Sequence, residues 1–302
     1  HSDDGLSQAN TMITLRSKGA APGEYAKIMF EGNEATLANQ DAFWANGLTI
    51  VVEDDPDTAD VPTPFDEVIF FDNSLTRVGG IRVTSSSGTQ NFAAVRTFVN
   101  SNTILDAATY GVDVRDVQTL IVANDNAVAD SGQFPMRLGG ADTSNRCDTI
   151  RASGNTLLGA FLRSDTGSST TQAALIINNA KYAVNSSNVM GSPNQRIPVD
   201  DVSGFTIGET VTGGTSGATA TVFGTQSPYL LIGDSRSGTF NASEVVTGGT
   251  SSETANTTGT VSNCLTFANS YSNITELWAG NNVVTDAGGS DSSTSVGTTN
   301  AI

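Results

Sequence analysis

The chain has 302 residues, 31 acidic side chains against 14 basic ones, a net charge of −17, and 71 Ser or Thr beside 31 Gly. Ser and Thr compete with helical hydrogen bonds and Gly loses too much backbone entropy, so this composition excludes a helical bundle or coiled coil and argues against an α/β enzyme with long helices. The acidic excess leaves no basic footprint for DNA or RNA and repels an anionic membrane surface, so neither nucleic acid nor membrane is an expected partner.

The length suffices for one large β domain or two ordinary ones. The first residue is His1 rather than Met, which points to a processed or trimmed start, and no signal peptide opens the chain. Residues 1–50 are the least β-like. Within them, 24–30 (EYAKIMF) and 37–44 (LANQDAFW) each have the composition of a short helix. Leu48 to Val52 reads as a strand and leads into an acidic loop from Glu53 to Pro64. Strands are expected again at Glu67 to Phe71 and Gly80 to Thr84. The apolar run Val68 to Phe71 falls far short of the roughly 18–20 residues that span a bilayer.

From about 84 to 194, short apolar runs alternate with Asn, Asp, Gly and Ser turns, as in 119–123 (TLIVA), 156–162 (TLLGAFL) and 174–177 (ALII). Several runs meet an asparagine, at Asn124, Asn155 and Asn178-Asn179. Short buried strands with Asn and Gly at left-handed corners are what a right-handed parallel β-helix requires, its coils burying together a core that none could bury alone. A β-sandwich would share the short strands, with cleaner alternation. The expected class is therefore all-β, a β-helix or β-sandwich.

Residues 205–224 (FTIGETVTGGTSGATATVFG) and 240–259 (FNASEVVTGGTSSETANTTG) align at an offset of 35 with eleven identities in twenty, Glu209/Glu244 among them. Gly213-Gly214 and Gly248-Gly249 mark the turn of each unit, where Gly permits positive φ. Two linked units over 196–262 then form a small barrel or sandwich. The flanking stretches 174–188 and 264–278 resemble each other, so 196–262 reads as an insertion into a main domain of 1–195 plus 263–302. Residues 286–302 are nearly devoid of apolar side chains and are expected to be ordered only by a partner.

The duplicated Val-Thr-Gly-Gly-Thr-Ser pattern resembles a repeat of tailed-phage virion proteins, especially marine and cyanobacterial ones, where it is an accessory β module. The resemblance covers about 67 residues and brings no catalytic residue. Ser252, Glu253 and Asn256 in the second copy depart from the pattern. It implies a virion structural protein in baseplate, fibre or head.

Chemistry is sparse. His1 is the only histidine, which removes an internal Ser-His-Asp device and a His-based zinc site. Cys147 and Cys264 make one bridge or two buried thiols. Asp54, Asp55, Asp57 and Asp60 have oxygen-ligand spacing for a structural Ca²⁺, without the Gly and distal Glu of an EF-hand, and a solvated acidic turn is preferred. Asp200-Asp201 has the same two readings. Paired carboxylates for glycoside cleavage would come from Asp113, Asp116, Asp125, Asp130, Asp142 and Asp148. Trp44 and Trp278 sit in apolar contexts that read as core, leaving no stacking platform for sugars. Sequons begin at Asn185, Asn241, Asn256 and Asn273.

The expectation is a non-enzymatic virion structural protein, decorating a capsid or forming part of a fibre or tail. Its partners would be copies of itself, other virion proteins and a host-surface glycan, with no cofactor. A secreted filament or surface-layer subunit at the cell surface, and a β-helix tailspike acting on polysaccharide, are the alternatives.

Overall fold

Among the described residues, a residue with positive φ seven times precedes an asparagine that opens a short strand: Gly32-Asn33, Asp72-Asn73, Ser101-Asn102, Asp125-Asn126, Gly154-Asn155, Ser187-Asn188 and Asn281-Asn282. Gly, Asn and Asp tolerate the left-handed region better than other residues, which is why these types recur at the corner. The structure, a computed structural model, describes residues 11–18, 27–36, 46–53, 64–85, 92–107, 110–132, 134–140, 142–160, 173–191, 195–226, 228–232, 237–263, 267–285 and 293–296.

The corners close the coils of a parallel β-helix. Coil 1 is Thr11–Lys18, Lys27–Glu31 and Glu34–Thr36; coil 2 is Asn46–Glu53, Phe65–Phe71 and Ser74–Thr76. Coil 3 is Ile81–Ser85, Ala94–Asn100 and Thr103–Leu105; coil 4 is Tyr110–Val114, Val117–Asn124 and Ala127–Ser131. Coil 5 is Phe134–Gly139, Cys147–Ser153 and Thr156–Ala160. In coil 6 one strand, Ala173–Ser186, runs on through the first corner before Val189–Gly191, and coil 7 repeats this with Phe267–Gly280 and Val283–Thr285. Ser293–Val296 adds a strand of coil 8 on Phe267–Gly280. Strands pair in parallel with their equivalents on neighbouring coils, giving three faces along the axis, here called the first, second and third sheets, of which the first two join into one 13-stranded sheet through the continuous strands of coils 6 and 7.

The stretch 24–30, expected as a short helix, is strand where described. Lys27–Glu31 pairs with Phe65–Phe71, and the Phe30 and Phe70 rings stack at 5.0 Å with planes 4° apart. So short a helix is marginal alone, and burial of Phe30 in the stack outweighs its local preference. Residues 37–44, Trp44 among them, lie outside the described residues.

Inward positions form columns. Ile28, Val68, Thr97, Ile121, Ile150 and Ala183 line one, each in register with the next. Ala35, Leu75, Ile104, Val128, Leu157 and Met190 line the opposing third sheet. Burying each large member stabilises the stack by roughly 1.5–3 kcal/mol. Outward positions of the second sheet form a column too: Met29, Ile69, Phe98, Val122, Arg151, Val184 and Trp278.

The corner asparagines are themselves a ladder. Each Nδ2 donates to the Oδ1 of the next, at 2.7 Å from Asn33 to Asn73, 2.7 Å from Asn73 to Asn102 and 2.9 Å from Asn102 to Asn126. The ladder continues at 2.8 Å to Asn155, 2.8 Å to Asn188 and 3.2 Å to Asn282. The other Nδ2 hydrogen reaches a carbonyl of the coil below, as from Asn126 to Val99 at 2.8 Å. The ladder therefore satisfies corner groups that the sheets leave unpaired. Of the asparagines that the sequence places after apolar runs, Asn155 belongs to it. Asn124 and Asn178 stay on strands, and Asn179 turns the first corner of coil 6 with φ 53°. A corner needs Asn immediately after the positive-φ residue, so adjacency to an apolar run is the wrong signal.

Between Gly191 and Phe267 the chain builds a separate antiparallel sheet. Its strands are Gln195–Pro198, Thr210–Gly213, Thr219–Gln226, Tyr229–Ile232, Val245–Gly248, Thr254–Asn256 and Ser262–Asn263. A bridge from Val199 to Thr257 joins its far strands, so the sheet curls around a core that includes Phe205, Val211, Val222, Phe240 and Val246. Coils 6 and 7 pair directly from Ala173↔Phe267 to Ser186↔Gly280, so the chain leaves and rejoins the helix on neighbouring coils.

Candidate functional site

The antiparallel unit is built on a local two-fold. Thr210–Gly213 and Val245–Gly248 pair antiparallel, with Thr212 opposite its own repeat equivalent Thr247, and with Val211 opposite Gly248 and Gly213 opposite Val246. Duplication followed by antiparallel pairing brings each repeat's loop onto the other's carboxylate. Glu209 Oε2 accepts from Thr250 N at 3.0 Å and Ser251 N at 2.9 Å, and Oε1 accepts from Ser251 Oγ at 2.8 Å. Glu244 returns the pattern, with Oε2 accepting from Thr215 N at 3.0 Å and Ser216 N at 2.8 Å and Oε1 from Ser216 Oγ at 2.8 Å. Each also holds its own repeat, through Thr206 N at 2.7 Å and Asn241 N at 2.5 Å.

Both carboxylates are buried. Burial alone would raise their pKa; hydrogen bonds led by Ser251 N for Glu209 and Ser216 N for Glu244 outweigh it and hold both below the ordinary glutamate value. This is an inert arrangement, because a carboxylate saturated by donors neither gives nor takes a proton near neutral pH.

The paired glycines act here through space, not through positive φ. A Cβ on Gly213 would lie 2.4 Å from Ser216 Oγ and 2.7 Å from Glu244 Oε1; on Gly248 it would lie 2.3 Å from Ser251 Oγ and 2.6 Å from Glu209 Oε2. A Cβ on Gly214 or Gly249 would meet a backbone carbonyl, Val245 O at 3.2 Å or Thr210 O at 3.0 Å. Positive φ falls instead at the aligned pairs Gly217/Ser252 and Gly208/Ser243, so the second copy's departure at Ser252 keeps the turn at a cost of about 1–2 kcal/mol. Gly213→Ala is expected to destabilise this unit by about 2–4 kcal/mol by forcing the clamp apart. Gly248→Ala should match it by symmetry. Urea midpoints would check both, and a Gly213→Ala midpoint equal to wild type would refute the close-approach argument.

The carboxylates suggested for glycoside cleavage are dispersed over the helix, and Asp113, Asp116, Asp142 and Asp148 are each tied to partners. Asp113 is wholly buried and takes a bidentate pair from Arg137, at 2.7 and 2.8 Å, with Arg115 Nε at 3.1 Å and Arg82 Nε at 3.8 Å. Burial disfavours the Arg137 charge, but the Asp113 hydrogen bond outweighs that and raises its pKa. Its guanidinium also lies over the Tyr110 and Phe134 rings, 5.0 and 4.8 Å from their centroids. Asp116 turns the first corner and accepts from Ser85 N at 2.7 Å and Thr84 Oγ1 at 3.1 Å. Asp142 caps its own loop through Ser144 N and Asn145 N, and Asp148 pairs with Lys181 at 2.6 Å. Asp125 is an exposed corner residue, and Asp130 sits on a strand of the third sheet. Among Asp113, Asp116, Asp125, Asp142 and Asp148 the geometry joins none into an acid–base pair.

Asp54, Asp55, Asp57 and Asp60, the Ca²⁺ candidates, lie outside the described residues, as do His1 and Cys264. Asp200 accepts from Asn256 N at 2.8 Å and Nδ2 at 2.7 Å, and Asp201 accepts from Ser203 N at 2.8 Å. Among the described residues no group of three or more His, Cys, Asp or Glu is placed to hold a metal ion. Cys147 is a free buried thiol, pushed up to about 12 by burial.

One expectation is corrected. Trp278 points outward and is 49% exposed rather than core, with Tyr182 50% exposed on the same face. Past the corner at Asn273, Leu277 continues the inward column of Ala183 and packs against the core, so Trp278, the next residue along the strand, faces away. The sequon residue Asn185 is wholly buried, its Nδ2 donating to Asn269 Oδ1 at 2.9 Å and to Tyr271 Oη, so it accepts no glycan in the folded chain. Asn241, Asn256 and Asn273 are exposed.

Comparison with protein-family models, with curated proteins and with solved structures finds no match to this chain.

Proposed function

We propose that this chain is a non-enzymatic structural protein of a tailed-phage virion, working by self-assembly and protein–protein contact. One observation carries the reading: a Val-Thr-Gly-Gly-Thr-Ser duplication resembling phage accessory modules is borne between consecutive coils of a β-helix, and its two buried glutamates serve only to lock its loops. A stack of coils joined by parallel sheets and an asparagine ladder is a stiff rod, suited to decorating or extending a particle. The charge of −17 keeps free copies apart until specific contacts form. The partners are copies of itself and other virion proteins, with a host-surface glycan as a further contact.

The test is light scattering and negative-stain imaging of the purified full chain, with antibody labelling of phage particles. Discrete oligomers or fibres and labelled virions are expected. A chain that stays monomeric and labels no particle overturns the reading. So does turnover of a host polysaccharide that is lost on exchange of one of the named aspartates for asparagine.

A further inference from the structure

The outward face of the second sheet differs from the rest of this acidic molecule. Its central column runs in unbroken register over seven coils from Met29 to Trp278, and only Arg151 interrupts its apolar character. Met29 and Trp278, at its two ends, are 48% and 49% exposed. Phe71 and Tyr182 extend it sideways, both exposed. A sheet face that lay open to solvent throughout would be expected to carry polar side chains at these positions.

Charge on this face is balanced. The flanking columns and Arg151 contribute Lys27, Arg96 and Arg151 against Glu31, Glu67 and Glu276. Lys27 Nζ and Arg96 Nη2 lie 2.8 and 3.5 Å from Glu67, which neutralises the middle of the strip. The Lys27 hydrogen bond, with the nearby Arg96 charge, holds the Glu67 carboxyl below its ordinary pKa. Elsewhere a chain of net charge −17 repels its own copies; here there is nothing to repel, and a strongly charged partner would find no complement.

The dimensions also fit. Seven strands at about 4.8 Å spacing make a strip about 29 Å long, and five residues at about 3.3 Å make it about 17 Å wide. Its flat area of about 500 Å², raised by side-chain relief, approaches the roughly 800 Å² each partner buries in a stable interface. The column runs from coil to coil along the stack, so a second stack of the same build can lie along its whole length.

We infer that a second copy of this chain docks side by side on this face, with the Met29-to-Trp278 column at the contact and Trp278 and Tyr182 as its aromatic anchors. The inference rests on the structural-subunit reading and names the surface through which it assembles. Side-by-side packing leaves the antiparallel unit and the ends of the rod free for other virion proteins.

The test uses the full chain in three forms: wild type, Val122→Lys in the middle of the column, and Ala127→Glu at an exposed position on the third sheet. Light scattering should find wild type and Ala127→Glu as oligomers and Val122→Lys as a folded monomer, with its dissociation constant raised at least a hundredfold. Because Val122→Lys could disturb folding, hydroxyl-radical footprinting of wild type supplies a variant-free readout. Met29 and Trp278 should be protected in the oligomer and labelled on dilution to monomer. An oligomer that survives a folded Val122→Lys, or that leaves Met29 and Trp278 labelled, sinks this surface while leaving the structural role standing. A wild-type chain that is monomeric at every concentration sinks both. Protection that appears only on adding polysaccharide overturns the inference in favour of a glycan platform.

Discussion

Asn126→Ala is expected to destabilise the β-helix by about 3–5 kcal/mol, against at most about 1 kcal/mol for Asn33→Ala. Asn126 sits in the middle of the ladder and is wholly enclosed. Its Oδ1 accepts from Asn102 N at 3.1 Å and Nδ2 at 2.9 Å, and its Nδ2 donates to Val99 O and to Asn155 Oδ1, each at 2.8 Å. Truncation strands donors and an acceptor of coil 3 and removes a donor from Asn155 of coil 5, where no water reaches, and each stranded group costs about 1–3 kcal/mol. Asn33 stands at the ladder's start, where its second Nδ2 contact is long and exposed, 3.4 Å to Glu31 O. Asn126→Asp should behave like the alanine variant, since a carboxylate supplies the acceptor but not the two donors. Chemical denaturation of the three variants checks this; equal losses at Asn126 and Asn33 would show that the ladder is decoration rather than support.

Glu209→Gln is expected to loosen the antiparallel unit by about 3–4 kcal/mol while leaving the coils intact. An amide keeps one acceptor oxygen and turns an NH₂ group towards backbone N–H donors that a carboxylate oxygen had satisfied, and hydrogen bonds to charged groups are worth about 1.5–3 kcal/mol each. Glu244→Gln should match it through the local two-fold. The same clamp makes the unit acid-sensitive. Both glutamates have folded pKa values below the ordinary 4.5. Their stabilisation is therefore fully present above about pH 4.5 and is lost as pH falls through the folded values. Amide hydrogen exchange over 205–259 should accelerate as pH falls below about 4.5, relative to exchange in the coils after correction for intrinsic rates. Glu209→Gln/Glu244→Gln should flatten that difference. An unchanged pH response in the double variant would show that other groups carry it.

The two structural devices differ in how far the sequence exposed them. The clamp was half visible: Glu209 and Glu244 stand among the eleven identities of the duplication, beside the glycines that frame the loops. Their role was hidden because a carboxylate that caps the other repeat's loop, 41 and 42 residues away for Glu209 and 29 and 28 for Glu244, leaves no local spacing to read. The glycines were legible as turn positions, yet their reason is the closeness of that carboxylate, not their φ. Each of the ladder's seven asparagines follows a tolerant Gly, Asp, Ser or Asn and opens a short strand, but Ser262-Asn263 and Ser272-Asn273 carry the same pair outside the ladder, so the signal is not unique to it. Spacings from 24 to 40 residues, and one of 94 across the inserted sheet, hide it from any search for a fixed period. The apolar neighbours of Trp278 predict burial only when the facing side is known, and in a strand the next residue faces the opposite way.

Composition by itself determined that this protein is all-β. A chain so rich in Ser, Thr and Gly, with short apolar runs between turn residues, has strands as its remaining way to bury a core, and that follows from local backbone preference. The tertiary structure alone decided which corner asparagines stack, that Asp113 is locked by three arginines, that each glutamate closes the other repeat's loop, and that one sheet presents a neutral apolar strip outward. All four depend on residues far apart in the chain meeting in register. Register is a property of the whole stack, because one residue's slip would turn every inward side chain out.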